Sequence, residues 1–181
     1  MDNKGKKRKR ILYISIAIIV LLIISVVYFM VATKKKEKKY NEEMARAITN
    51  IADNIVYDYV YSDENIDPTE IKLYFDLAGK VFARKLGDSV DQVDGALLVN
   101  YDGKHSAVVI LPEPVIMDYK LNVKDSSDEG FIEQNRTVSD KKIEIENEFL
   151  ASGAKEVITD RLKAVLTEYL KAKGYKDIEF K

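Results

Sequence analysis

Residues 11–32 read ILYISIAIIVLLIISVVYFMVA, and this stretch decides how the rest of the chain is organised. Twenty of its twenty-two side chains are apolar, Ser15 and Ser25 being the exceptions, and none is charged. Wound as a helix at about 1.5 Å per residue it reaches roughly 33 Å, against a hydrocarbon core of about 30 Å. The β-branched residues that weaken a helix in water matter little in lipid, where only a helix satisfies every backbone group of an isolated span. Tyr13 near one end and Tyr28 and Phe29 near the other fall where amphipathic rings favour the headgroup zone. Arg10 and Lys34 are the first charges beyond them. A cleaved signal peptide has an apolar run of only about 7–15 residues ending in an A-x-A-like site. Here Val31, Ala32 and Thr33 lead straight into lysines, and a buried core helix would not need a basic collar at both ends. The expectation is an uncleaved transmembrane helix.

Working outward, the 181 residues carry 29 basic and 30 acidic side chains, but this balance averages two unlike parts. Residues 1–39 have a net charge of +9 and residues 40–181 a net charge of −10. The layout is a basic tail (1–10), the span (11–32), a basic juxtamembrane segment (33–39) and one soluble domain (40–181). That domain is large enough to bury a core without staples. No cysteine and a single histidine, His105, exclude disulfide frameworks, zinc ribbons, thiol nucleophiles and any site needing two imidazoles. Six basic residues precede the span and five lysines follow it, nearly a tie under the positive-inside rule. The tail's own amine tips the reading towards a cytoplasmic N-terminus and an extracytoplasmic domain at the cell membrane. Because both basic runs abut the span, they read as topology signals in contact with anionic lipid rather than as nucleic-acid patches.

Residues 41–53 continue as a helix with Met44, Ile48 and Ile51 at helical spacing, and 55–61, IVYDYVY, alternates as a strand. Asp67-Pro68-Thr69-Glu70 has the form of a helix start, with Asp as N-cap and Pro at N1, which favours a helix through Leu86 stopped at Gly87. Ile71, Leu73, Phe75 and Leu77 also alternate strictly, so a hairpin turning at Ala78-Gly79-Lys80 is the alternative. ALLVNY and KHSAVVIL around Asp102-Gly103 read as a tightly turned hairpin, with 115–123 as a third strand beyond the prolines of LPEP. Ser139 or Thr137 caps a C-terminal helix running to about Lys173. Its expected stripe is Ile143, Phe149, Leu150, Ala154, Val157, Ile158, Leu162, Val165, Tyr169 and Leu170. Gly153 can split this helix, Gly174 fits its C′ position, and 175–180 forms a last strand. The fold class is α+β, with a small, mostly antiparallel sheet covered by a long C-terminal helix.

Val109-Ile110-Leu111-Pro112-Glu113-Pro114-Val115-Ile116 resembles the "strand, LP-x-P, strand" element of a bacterial domain-of-unknown-function family, DUF family 4230. The order that follows is also similar: an acidic loop at 125–130, a helix broken at Gly153-Ala154 and a terminus ended by Gly174. The resemblance covers about 96–181 and the strand near Tyr57 to Tyr61. Leu111, Pro112, Pro114, Gly153 and Gly174 carry it. It implies a bacterial envelope protein with one N-terminal membrane helix and transfers no catalytic residue.

Candidate chemistry is sparse. Asp102, His105 and Ser106 sit within five residues, but neighbours on a strand point to opposite faces, and a triad draws its members from separate segments. Asp88, Asp91 and Asp94 are three apart, whereas a calcium loop wants ligands two apart, and Asp125, Asp128 and Glu129 fit no better. Glu144, Glu146 and Glu148 read as a solvated helix flank. The sequon Asn135-Arg136-Thr137 has no role in a bacterial chain. No catalytic, cofactor or metal site is therefore assigned, and the expected cofactor is none. The reading is an interaction or accessory domain whose partners are the bilayer and another envelope protein. A membrane-tethered hydrolase using carboxylates, or a subunit of a secretion or conjugation apparatus, is the alternative. If docking is its role, the solvated helix face at Lys155, Asp160, Lys163, Glu168 and Lys171 is the expected surface.

Overall fold

The computed structural model describes residues 3–77, 79–85, 95–102, 105–123 and 131–181, leaving aside the side chains of 3–15 and 131–137. The chain is α+β and forms two compact units, Met1–Glu43 and Met44–Lys181. Helix α1, Asn3–Asp53, begins in the first and ends in the second. Among the described residues seven strands and two more helices follow, in the order β1 (Val56–Tyr61), β2 (Thr69–Tyr74), β3 (Val81–Lys85), β4 (Leu97–Tyr101), β5 (Ser106–Ile110), β6 (Val115–Ile116), α2 (Phe131–Ala151), α3 (Ala154–Ala172) and β7 (Asp177–Phe180).

The strands make two sheets rather than the single one expected. One is antiparallel, in the order β1-β2-β6; the other is mixed, in the order β3-β4-β5-β7, with β3 and β7 parallel to their neighbours. The helix expected over 68–86 is absent: β2 and β3 occupy its place, on different sheets, so the alternative hairpin does not form either. The period-two pattern decides it. Ile71, Leu73, Phe75 and Leu77 are each at most 1% exposed, a burial that a helix could not give to all four. The cap is not used. Thr69 instead donates its hydroxyl to the Asp67 carbonyl, and the Asp67 N–H donates to Asn122. Gly87 lies outside the described residues.

The hairpin of β4 and β5 forms, with Tyr101 opposite Ala107. Its turn is not the two-residue type, because the Asp102 N–H donates to the Ser106 carbonyl, four positions on. The third strand shrinks to β6 and a bridge between Val123 and Ile66, and it joins the first sheet, not the hairpin. LPEP is the reason. Prolines 112 and 114 lack the N–H a ladder needs, so β5 ends at Ile110 and the chain crosses to β2, where Leu73 faces Ile116.

Helix α2 starts at Phe131, upstream of the expected caps at Thr137 and Ser139. It ends at Ala151, and Gly153, at φ 84°, separates it from α3. Helix α3 buries Ala154, Ile158, Leu162, Leu166 and Leu170 at a steady four-residue spacing and lies against β1, β2 and β7. The expected stripe needs correction. Ile143, Val157 and Val165 are exposed, whereas Ile145 and Leu166 are buried. Phe149 of α2 stacks on Tyr59 at 5.0 Å and meets Tyr57 at 5.8 Å, joining the helix layer to β1. At the end of α3 the Gly174 N–H donates to Lys171 and the Tyr175 N–H to Leu170, a Schellman cap with Gly174 at φ 101°. Tyr175 and Leu170 are both buried, and the Tyr175 ring meets Tyr101 edge-on at 6.0 Å.

Candidate functional site

Two regions deserve the description of sites, one in each compact unit. Among the described residues one helix, the part of α1 from Ile16 to Asp53, is long and apolar enough to cross a membrane, and none of its apolar window is buried. Tyr28 and Phe29 are 76% and 73% exposed near its end, in keeping with rings that have no protein partner to pack on. Thr33 returns its hydroxyl to the Phe29 carbonyl at 2.8 Å, which removes it as a donor to anything outside the helix. Lys34, Lys35 and Lys36 are exposed immediately beyond. Lys38 and Lys39 reach Glu42 and Glu43 one turn on, at 3.9 and 3.7 Å. Arg10 and Tyr13 lie in the helical part of α1, with side chains outside those described.

In the second unit, LPEP and α3 form the two walls of an open cleft of about 420 Å³. Leu111, Pro112, Pro114 and Phe180 give it an apolar floor. The rim carries three acids (Glu113, Glu156, Asp160) and three lysines (Lys155, Lys163, Lys181), so it is balanced in charge. Lys155 reaches Glu113 at 3.3 Å and closes one end. Glu113 is well solvated and Lys155 partly so, so this pair adds little stability and can be exchanged for a partner's charges. The Leu111 N–H donates to the Lys181 carbonyl at 3.1 Å, which fixes the floor to the residue that follows β7. Of the five residues expected on a docking face, Lys155, Asp160 and Lys163 line this cleft and Glu168 and Lys171 do not. Of the residues carrying the family resemblance, Leu111, Pro112 and Pro114 belong to it, while Gly153 and Gly174 only terminate helices. The expectation omits Glu113, Phe180 and Lys181, because nothing local in the sequence joins segments so far apart, and omits Glu156 and Thr159 on the expected helix itself.

The remaining candidates do not converge. Asp102 accepts the backbone N–H groups of His105 and Ser106 at 2.9 and 3.1 Å, so its carboxylate organises the loop instead of orienting the imidazole. The His105 carbonyl accepts from Lys176 and Asp177, tying the same loop to the start of β7. Glu144 pairs with Lys141 at 3.0 Å, and the Glu146 charge adds to burial in raising the Tyr119 phenol above its usual range. Among the described residues no group of three His, Asp or Glu side chains is placed to hold a metal ion. Asp88, Asp91, Asp94, Asp125, Asp128 and Glu129 lie outside the described residues, as do the side chains of Asn135, Arg136 and Thr137. Comparison with protein-family models, with curated proteins and with solved structures finds no match to this chain.

Proposed function

We propose that this chain is a single-pass membrane protein whose α+β domain serves as a non-catalytic interaction module at a bacterial cell envelope. The observation that carries the reading is the unburied apolar stretch of α1 from Ile16 onward, which in water would leave a run of Ile, Val and Leu side chains about half exposed. Exposed apolar surface of that extent needs lipid or protein around it. The basic flanks and the resemblance to DUF family 4230 support lipid and a bacterial envelope. The near tie in flanking charge leaves a cytoplasmic N-terminus and an outward-facing domain as part of the proposal. The cleft between LPEP and α3 is where the module docks, because an apolar floor inside a balanced charged rim is the make-up of a protein interface.

Three measurements test this. The full-length protein should stay with membranes through high salt and alkaline wash, and release at full mass would end the anchoring reading. Protease added to intact cells should remove the domain and spare the tail; digestion only after lysis would reverse the orientation. For docking, photo-crosslinkers at Lys155, Asp160 and Lys163 should give one adduct of reproducible mass, while Lys171, outside the cleft, gives none.

A further inference from the structure

We infer that Lys34, Lys35 and Lys36 form a binding collar for anionic phospholipid headgroups, distinct in role from the two lysines that follow them. The inference rests on the membrane-anchoring reading above. Among the described residues none of the three has an acidic partner, whereas Lys38 and Lys39 are each paired with a glutamate one turn on. Successive helical residues are turned by about 100°, so the three ammonium groups spread over roughly 200° of the circumference. They face lipid on most sides and form no single-faced patch that a protein groove would match.

Their neighbours strengthen the assignment. Thr33, the last hydroxyl before the collar, is occupied by the Phe29 carbonyl, so the lysines supply the free donors at this level. Tyr28 and Phe29 stand exposed one to two turns back, at the depth where aromatic rings border the headgroups. Glu37 is the one acid within residues 33–39, leaving this segment with a net charge of +4. The complementary ligand is a lipid phosphate that keeps its negative charge, as in phosphatidylglycerol, and not a zwitterionic headgroup. Each unpaired lysine near such a surface should favour it roughly fivefold. Lys38 and Lys39 lie about one turn further along the helix, each near a glutamate that repels the same phosphate, and should contribute less.

The test uses the full-length chain in nanodiscs of equimolar phosphatidylglycerol and phosphatidylcholine, with retained lipids counted by native mass spectrometry after mild detergent extraction. The wild type should retain phosphatidylglycerol several-fold over phosphatidylcholine. K34Q/K35Q/K36Q should bring the ratio close to one, and K38Q/K39Q should keep most of the preference. Equal retention of both lipids by the wild type, or an equal loss in both variants, would overturn the inference while leaving the anchor intact. A chain that fails to enter the bilayer at all would remove the anchoring reading and this inference together.

Discussion

At the scale of single residues, side chains here often serve the backbone instead of one another. Asp67 shows the difference. As an N-cap its loss would cost about 0.5–2 kcal/mol, but the structure engages its main chain, through Asn122 and Thr69. Asp67→Ala should therefore leave the urea midpoint within about 0.5 kcal/mol of the wild type. Asp118 differs, since its carboxylate meets Lys142 at 2.9 Å and the lysine in turn lies over the Tyr119 ring at 4.6 Å. The hydrogen bond and charge of Lys142 hold the Asp118 carboxyl below its ordinary value of 3.8. A depressed carboxylate stabilises the fold above its unfolded value, and that contribution fades as pH falls through the folded one. Asp118→Asn should flatten the loss of stability on acidification below about pH 4, read as urea midpoints between pH 2.5 and 6. An unchanged pH profile would show that the Asp118–Lys142 pair contributes nothing in solution.

At the scale of elements, legibility followed the range of the interactions that decide each one. Periodicity gave α1, β1, the β4–β5 hairpin and the break at Gly153, because these depend on neighbours in sequence. Residues 68–86 misled for a physical reason: a capping signal is worth about 1 kcal/mol, while burying Ile71, Leu73, Phe75 and Leu77 is worth about 1.5–3 kcal/mol for each side chain. Where the two conflict, burial wins. The docking cleft was half legible in the same sense. Its helix wall was readable from charge, but its meeting with LPEP depends on a 42-residue separation between Glu113 and Lys155. The helix stripe gives a direct test of packing. Phe149→Ala removes a buried ring that stacks on Tyr59 and meets Tyr57, and should cost about 3–5 kcal/mol. Ile143→Ala, at a site 56% exposed, should cost less than about 0.5 kcal/mol. Comparable melting shifts in the two variants would contradict the burial described here.

At the scale of the whole molecule, the anchoring proposed above would put the span and the domain in different solvents, which accounts for the net charges of +9 over residues 1–39 and −10 over 40–181. In the function proposed above, the basic part suits a lipid surface, and the net acidity of residues 40–181 suits water. Within the domain, the pairing of β7 with β5 has a consequence in time. Strand β1 meets β2 across a short link, with Tyr61 opposite Thr69, but Ser106 and Asp177 are partners 71 positions apart. Closing so long a loop is entropically slow, so the first sheet's hairpin should nucleate early and β7 should arrive late. In stopped-flow refolding of residues 44–181, Ile178→Ala should then leave the folding arm nearly unchanged and speed unfolding, while Ile71→Val should slow folding. A slowed folding arm for Ile178→Ala would place β7 in the nucleus. With β7 last to join and first to leave, the cleft that borrows Phe180 and Lys181 would be the most short-lived part of the fold, open and closed on a clock set by one edge strand.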